Sequence, residues 1–149
     1  MRFHTSLPVR DLQATIDFYT TLFGAPPVKT KADYAKFLPP TGGLNISFHH
    51  NPDAVGALET LHLGFELPDQ AALDRVHARV QEAGLISVAR DTSICCYANQ
   101  DKFWVTDPNG YAWELYHLLE DTEVRIEAST TCCASPDDAP ADAAQSGCC

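Results

Sequence analysis

The six cysteines of this 149-residue chain stand in three adjacent pairs, Cys95-Cys96, Cys132-Cys133 and Cys148-Cys149. Neighbouring cysteines suit a disulfide poorly, because that bond needs Cα atoms farther apart than the ~3.8 Å between consecutive residues. Two adjacent thiolates can instead chelate a soft ion. The pairs therefore predict reduced dithiols that bind a soft metal or metalloid in a reducing compartment, the cytoplasm.

Two histidines and a glutamate form a second candidate site. His4, His62 and Glu114 each alternate with apolar residues in a stretch typical of a strand. Side chains alternate across a strand, so the apolar ones, Phe3 and Val9 among them, are expected to face the helices. The other three then share the opposite, concave face of a half-barrel sheet. Two imidazoles and one carboxylate make a facial triad for a divalent metal, with coordination positions left open.

The elements that must position this triad occur twice along the chain. Each histidine is followed seven residues later by an aspartate, Asp11 or Asp69, that can cap a helical pattern ending at Gly24 or Gly84. Three shorter strand-like stretches follow each helix: 28–32, 34–38 and 44–49 in the first half, and 85–91, 102–106 and 111–118 in the second. The pattern predicts an α+β fold of two paired βαβββ modules, at about residues 1–50 and 58–120.

Composition limits the classes of partner. The net charge of -10 and the pI of about 4.8 argue against nucleic acid, whose phosphates need a basic surface. No apolar run reaches the roughly 18 residues of a membrane helix, and the N-terminus lacks the apolar core of a secretory signal. Residues 1–120 form the predicted domain, as a monomer or a homodimer. Residues 121–149 are an acidic, cysteine-containing tail, expected to be disordered because it has no large apolar residue from about Ala128 onward.

Two motifs carry a resemblance to a known superfamily. Phe18-Tyr19-x-x-Leu22-Phe23-Gly24 in the first helix and Asp107-Pro108-Asn109-Gly110 before the last strand resemble the recurrent sequence marks of the vicinal oxygen chelate superfamily. Its members include glyoxalases, bleomycin-resistance proteins and extradiol dioxygenases, and paired βαβββ modules are their architecture. The resemblance covers the whole predicted domain.

The position of a fourth metal ligand favours one branch of that superfamily. Aligning Gly43 with Gly110 places Ser47 opposite Glu114, where a glyoxalase I-like site would want a carboxylate. Ser47 is a poor ligand, and a slip of one residue would bring Phe48 there, which is no ligand at all. Three protein ligands leave room for dioxygen and substrate, as in non-haem iron oxygenases. The alignment therefore favours dioxygenase-type chemistry.

The first cysteine pair narrows the resemblance further. Cys95 and Cys96 lie in residues 91–101, a polar stretch interpreted as a loop that swings toward the metal-bearing face. Together with the triad, they make the chain similar to the ArsI-type carbon–arsenic bond lyases and the related cadmium-induced proteins. The resemblance implies that His4, His62 and Glu114 bind Fe(II), and that Cys95 and Cys96 bind the substrate.

The implied activity is dioxygen-dependent cleavage of the carbon–arsenic bond of a small trivalent organoarsenical, such as methylarsonous acid or a reduced aromatic arsenical, with release of arsenite. Fe(II) would be the cofactor and dioxygen the cosubstrate. Two alternatives stay open. One is a resistance protein that sequesters cadmium or arsenic without turnover, and the other is an extradiol-type dioxygenase acting on a catechol. The dithiol disfavours the catechol enzyme, and the open triad disfavours sequestration.

Overall fold

A computed structural model of the chain describes residues 2–40, 42–54, 63–95 and 98–123. His62, Cys96 and the tail from residue 124 onward lie outside the described residues, and so does the side chain of Cys95. In chain order the elements are β1 Phe3–Val9, α1 Leu12–Phe23, β2 Lys29–Lys31, β3 Tyr34–Phe37, β4 Leu44–His50, β5 Leu63–Glu66, α2 Gln70–Glu82, β6 Ile86–Cys95, β7 Ala98–Thr106 and β8 Ala112–Asp121.

Each half of the chain builds a four-stranded mixed sheet of its own. The strand orders are β1-β4-β3-β2 and β5-β8-β7-β6. In each sheet the first strand pairs in parallel with the last, and the remaining pairs are antiparallel. The prediction of an α+β fold with two paired βαβββ modules is confirmed. None of the helices in the described part of the chain is long and apolar enough to cross a membrane.

Both helices begin at the aspartates that the sequence indicates. The Asp11 side chain accepts a hydrogen bond from the backbone N–H of Ala14, and Asp69 does the same for Ala72. These contacts satisfy backbone donors that the first turn of a helix leaves without partners. Helix α1 ends at Gly24, whose φ of 64° is a left-handed conformation that glycine adopts without strain.

Arg79 joins the two helices. Its guanidinium donates from Nε to the carbonyl of Thr21 and from Nη2 to the carbonyl of Leu22, both at 2.6 Å. A cation here satisfies the free carbonyls at the end of α1 and lies at the negative end of its dipole. Gly24 makes room for it, because a Cβ at that position would lie 3.0 Å from the guanidinium carbon. The second module thus caps the helix of the first.

A buried polar network centred on Tyr19 also joins the modules. Its hydroxyl donates to Oδ2 of Asp107 at 3.0 Å and accepts from Nε1 of Trp113 at 2.8 Å. Oδ1 of Asp107 accepts the backbone N–H groups of Asn109 and Tyr111, which closes the turn between β7 and β8. Burial raises the pKa of both Tyr19 and Asp107. The role of this network is structural: it fastens helix α1 to the turn that precedes Glu114.

Asp107→Asn is expected to lower the free energy of unfolding by about 1–3 kcal/mol, because an amide N–H₂ would then face the Tyr19 hydroxyl and one donor would lose its acceptor. Urea denaturation measures the change. Asp69→Asn is the matched control, since asparagine caps a helix as well as aspartate does. Equal losses in both variants would contradict the role given to the network.

The stability contributed by Asp107 also depends on pH. Because the folded state holds the Asp107 proton to a higher pH than the unfolded chain does, this contribution falls as the pH rises through the raised pKa of Asp107.

Two expectations about individual segments are wrong. Residues 91–95 and 98–101, which were expected in a loop, belong to strands: β6 runs to Cys95 and β7 starts at Ala98, and the two strands pair from Asp91–Lys102 to Cys95–Ala98. Polar side chains in this stretch indicate a loop. The hydrogen bonds between two strands join backbone groups, however, so polar residues can form them as well as apolar ones. Phe3 does not face the helices, for it is 67% exposed at the start of edge strand β1, whereas Val9 at the other end is fully buried. The helices cover only the carboxyl-terminal part of that strand.

Candidate metal centre

His4 presents one ring nitrogen for coordination. It lies on the exposed face of β1, and its Nδ1 is 3.0 Å from the carbonyl oxygen of Asn45 on β4. A carbonyl only accepts, so Nδ1 carries the hydrogen and Nε2 keeps its lone pair. Histidines that bind metals are usually oriented by such a bond from the other ring nitrogen. The structure therefore holds His4 in the tautomer that a metal ligand requires.

Glu114 is a buried carboxylate in the middle of β8. The residue is 4% exposed, and its register partners are Gly64 on β5 and Trp104 on β7. The ammonium Nζ of Lys102, also on β7, lies 3.2 Å from Oε1. A carboxylate taken out of water needs a positive partner, and a protein cation or a bound metal ion can serve.

Gly64 lets β5 approach β8 closely at Glu114. A Cβ added at this position would lie 2.9 Å from the backbone oxygen of Glu114 and 3.3 Å from its Cβ. Real Cβ atoms do not approach backbone oxygen so closely, so only glycine fits without moving β8. The close approach therefore fixes the position of β8 at the residue that carries the carboxylate.

Gly64→Ala is expected to displace Glu114 and to weaken metal binding by about 10–100-fold, the loss typical when the surroundings of a metal ligand are disturbed. Titration with Co(II), followed by visible absorption, measures the affinity. Ser6→Ala is the matched control, because Ser6 holds the corresponding place in the first module and already has a Cβ. If Gly64→Ala bound Co(II) as tightly as the Ser6→Ala variant, the close approach would have no bearing on the site.

The strand register confirms the counterpart of Glu114 in the first module. Ser6 pairs with Ser47, as Gly64 pairs with Glu114, so Ser47 and Glu114 are equivalent. Phe48 is excluded from that place, because its ring packs in the core against Tyr19 with the centroids 4.3 Å apart. The first module therefore adds a hydroxyl, not a fourth carboxylate.

Only part of the expected triad falls among the described residues. His4 and Glu114 are described, whereas His62 immediately precedes β5 and lies outside. Within residues 2–40, 42–54, 63–95 and 98–123, no three His, Cys, Asp or Glu side chains come together as a metal site. The full triad consequently stays a prediction.

The residues present nevertheless fit a divalent transition metal. An oriented imidazole and a buried carboxylate are donors that such a site needs. Imidazole and carboxylate accept Fe(II), Mn(II) and Co(II) alike, so the donor set fits iron without selecting it.

Three polar residues on the strands that adjoin the two candidate ligands are not identified from the sequence. Lys102 and Gln100 lie on the same face of β7 and are 3% and 8% exposed, and Oε1 of Gln100 has no hydrogen-bond partner in the described part of the chain. Nδ1 of His49 lies 3.3 Å from Oγ of Ser6, on the face that carries His4. Lysine and glutamine usually signal exposure, and burial could be recognised only through the pairing of β7 with β8.

The end of the β6–β7 hairpin, where Cys95 lies, is distant from Glu114. Cys95 ends β6 and pairs with Ala98, while Glu114 pairs with Trp104. Ala98 is six positions before Trp104 on β7, which is ~20 Å at about 3.3 Å per residue. In this conformation the backbone of Cys95 is therefore remote from the row of Glu114.

An ion pair and a hydrogen bond connect this hairpin to α2. Nη2 of Arg90 lies 2.8 Å from Oδ1 of Asp74, and Gln70 donates to Asp101 at 2.8 Å. Arg90 also donates two hydrogen bonds to Asp101, at 2.8 and 2.6 Å, which lower the pKa of Asp101, so this carboxylate stays ionised. Close by, the pairing of β7 with β8 shifts between Asn99 and Gln100, and such irregularities are where a strand bends.

A cavity of about 630 Å³ lies at the boundary between the two modules. Its lining is mostly apolar and comes from the ends of both helices, the start of β4 and the strand β5, including Phe23, Leu44 and Phe65. Gly64 and Glu66 line it too, but His4 and Glu114 do not. The cavity therefore borders the candidate centre without containing its ligands.

Comparison with known proteins gives a family and named relatives. Residues 3–115 match the Glyoxalase/Bleomycin resistance protein/Dioxygenase superfamily. A protein of Thermomonospora curvata named "Trivalent organoarsenical cleaving enzyme" is 36% identical over 150 residues, which cover 99% of both chains. The "Cadmium-induced protein CadI" of Mycobacterium bovis is 41% identical over 82% of this chain and 79% of its own length.

Solved structures agree with the fold. A glyoxalase/bleomycin resistance protein/dioxygenase from Alicyclobacillus acidocaldarius superimposes with a TM-score of 0.67 at 19% identity. The match covers 80% of this chain and 92% of that one. At this identity the likeness supports the paired-module architecture, and the reaction must be argued from the relatives and the site.

Proposed function

The chain belongs to the glyoxalase/bleomycin resistance protein/dioxygenase superfamily, and from its similarity to relatives named as trivalent organoarsenical cleaving enzymes we propose that it cleaves the carbon–arsenic bond of trivalent organoarsenicals and releases arsenite. Methylarsonous acid and reduced aromatic arsenicals are the proposed substrates. The observation that carries the proposal is the similarity to the Thermomonospora curvata enzyme, which extends through both modules and all of the strands that bear site residues.

A metal centre made of His4, His62 and Glu114 is part of the proposal. Fe(II) is the proposed metal, and it would supply the redox chemistry with dioxygen as cosubstrate. The protein contributes the orientation of the ligands: Asn45 fixes the tautomer of His4, and the close approach of β5 at Gly64 fixes the position of β8 at Glu114. Three protein ligands leave coordination positions for the reactants.

Cys95 and Cys96 are proposed to bind the arsenic atom. Trivalent arsenic with one organic substituent has two further positions, and two adjacent thiolates can fill both. The carbon–arsenic bond is then the only bond to arsenic that does not involve the protein. A single thiol would hold the arsenical weakly, whereas two neighbouring ones chelate it without closing a long loop.

Movement of the end of the β6–β7 hairpin is proposed to bring the bound arsenical to the metal. The ~20 Å between Ala98 and the row of Glu114 is too long for direct contact. The irregular pairing between Asn99 and Gln100 supports a movement that releases Ala98 and Asn99 from β8, while the Arg90–Asp101 pair holds the rest of the hairpin. Closing the hairpin over the sheet would also exclude water from the reacting groups.

The second candidate function is sequestration without turnover. The similarity to the cadmium-induced protein of Mycobacterium bovis favours it, as do the two further cysteine pairs, Cys132-Cys133 and Cys148-Cys149. Both functions predict that the chain binds trivalent arsenicals. Only the lyase predicts that the organic group is lost.

Speciation of arsenic after incubation separates the two. The purified full-length chain is loaded with Fe(II), mixed with methylarsonous acid, and then denatured so that bound arsenic is released for chromatography. The lyase yields arsenite in amounts exceeding the protein, whereas sequestration returns methylarsonous acid unchanged. A catechol in place of the arsenical tests the extradiol alternative, and turnover of catechol alone would contradict the proposal.

A further inference from the structure

Lys102 is a buried cation beside the candidate metal ligand. Its side chain is 3% exposed, and Nζ lies 3.2 Å from Oε1 of Glu114. Nζ makes no hydrogen bond of good geometry to any residue in the described ranges. Glu114 is therefore the electrostatic partner of Lys102 within these ranges, and Oε1 is the carboxylate oxygen that the ammonium contacts.

The internal repeat shows that the fold does not need this ion pair. Ser47 takes the place of Glu114 in the first module, and by the same strand register Tyr34 takes the place of Lys102. The first module builds the same four-stranded sheet without either charge. The lysine therefore occurs in the module that has the carboxylate, and the same sheet forms in the other module without it.

Stability is a weak reason for burying these charges. Removing an ammonium and a carboxylate from water costs several kcal/mol per ion, and their attraction often only offsets it. Apolar residues of similar size would serve the core at least as well. A role at the site is the better explanation, because the buried ammonium lies directly against one oxygen of the candidate metal ligand.

We propose that Lys102 is a positioning residue that holds Oε1 of Glu114, so that the carboxylate offers only Oε2 to the metal. This inference rests on the proposed metal centre. A carboxylate bound through one oxygen occupies one coordination position, whereas a bidentate carboxylate occupies two. Lys102 thereby keeps a position open for a reactant. Its charge also weakens metal binding, since like charges a few ångströms apart repel strongly away from bulk water.

Lys102→Met is expected to bind Co(II) at least about tenfold more tightly than the unmodified chain, because a positive charge 3.2 Å from the ligand oxygen is removed. Its visible absorption is expected to change, because Lys102 no longer holds Oε1 away from the metal. Turnover is expected to fall mainly through kcat. Lys102→Gln keeps a donor for Oε1 but no charge, so it is expected to bind Co(II) more tightly with an unchanged spectrum. Lys36→Met, whose lysine pairs with Ser47 in the first module, is the control and is expected to change neither.

Unchanged or weaker Co(II) binding by a folded Lys102→Met variant would overturn the proposal. Circular dichroism checks the fold, and if Lys102→Met does not fold, the affinity of Lys102→Gln decides the question by the same criterion. The role of Lys102 alone would be refuted by three results together. The unmodified chain binds Co(II), His4→Ala does not, and both Lys102 variants bind it as the unmodified chain does. Failure of the unmodified chain to bind Co(II) or Fe(II) would refute the metal centre and this inference together.

Discussion

The His4→Ala variant is expected to lose metal binding and arsenite release while keeping its fold. The side chain is exposed on an edge strand and makes one described hydrogen bond, to the carbonyl of Asn45, so its removal leaves no cavity in the core. Losing one of three protein ligands should weaken metal binding by on the order of a hundredfold or more, since disturbing the surroundings of a ligand already costs 10–100-fold. Metal content after dialysis and Co(II) titration measure the loss.

His49→Ala is the matched control for this variant. His49 lies on the same face of the first sheet, is also exposed, and contacts Ser6. It is expected to retain the metal and at least about half of the activity, a change within the range of ordinary surface substitutions. Full metal occupancy in His4→Ala would count against His4 as a ligand.

Glu114→Ala should also lose the metal, but it is a less specific variant. The structure adds a consequence that the sequence does not show: without Glu114, the buried Lys102 ammonium loses the carboxylate that lies 3.2 Å from it. Breaking a buried pair in this way costs about 3–5 kcal/mol of stability. Metal loss in Glu114→Ala must therefore be interpreted together with its unfolding curve, whereas His4→Ala reports on the metal centre alone.

Replacing Cys95 and Cys96 together by serine is expected to abolish capture of the organoarsenical and nearly all turnover. Serine oxygen is a hard donor, so it does not replace a thiolate toward a soft element. Metal binding should persist, because neither sulfur is a proposed metal ligand and Ala98 at this end of the hairpin is ~20 Å from the row of Glu114. Arsenite release and Co(II) affinity, measured on the same preparation, test both parts.

Serine at Cys132 and Cys133 is the control for the dithiol. These residues lie in the acidic tail, and their replacement is expected to leave turnover of purified protein nearly unchanged. The sequestration function predicts instead that each pair contributes similarly to the arsenic bound. A double variant at Cys95 and Cys96 that still cleaved methylarsonous acid at the unmodified rate would show that this pair does not hold the substrate.

Much of the fold was predictable because it follows from local rules. Asp11 and Asp69 begin the helices as N-caps, and the two-module pattern with its strand order is confirmed. The equivalence of Ser47 and Glu114 also follows from the repeat, since a shared register preserves sequence offsets. Alternation fails at Phe3, because a strand end that extends beyond its covering helix has no buried face.

The surroundings of the site depend on contacts across strands, which a single sequence does not contain. Lys102 comes within reach of Glu114 only through the pairing of β7 with β8, and lysine by itself predicts exposure. Gly64 is likewise an ordinary strand glycine until β8 is placed beside it. The sequence predicts a loop for part of the hairpin, because residues such as Asn99 and Gln100 have low strand propensity. Hydrogen bonds between backbone groups of neighbouring strands order these residues, and the sequence alone does not reveal those bonds.

Dioxygen-dependent cleavage of the carbon–arsenic bond is best tested by measuring arsenite release from methylarsonous acid by the Fe(II)-loaded chain, in air and without oxygen. In air, arsenite release beyond one equivalent per protein is expected. Almost none is expected anaerobically or with the His4→Ala variant. Readmission of air to the anaerobic sample should restore it. Equal release with and without dioxygen would contradict the proposed dioxygen-dependent cleavage, and methylarsonous acid recovered intact from the aerobic sample would contradict cleavage altogether.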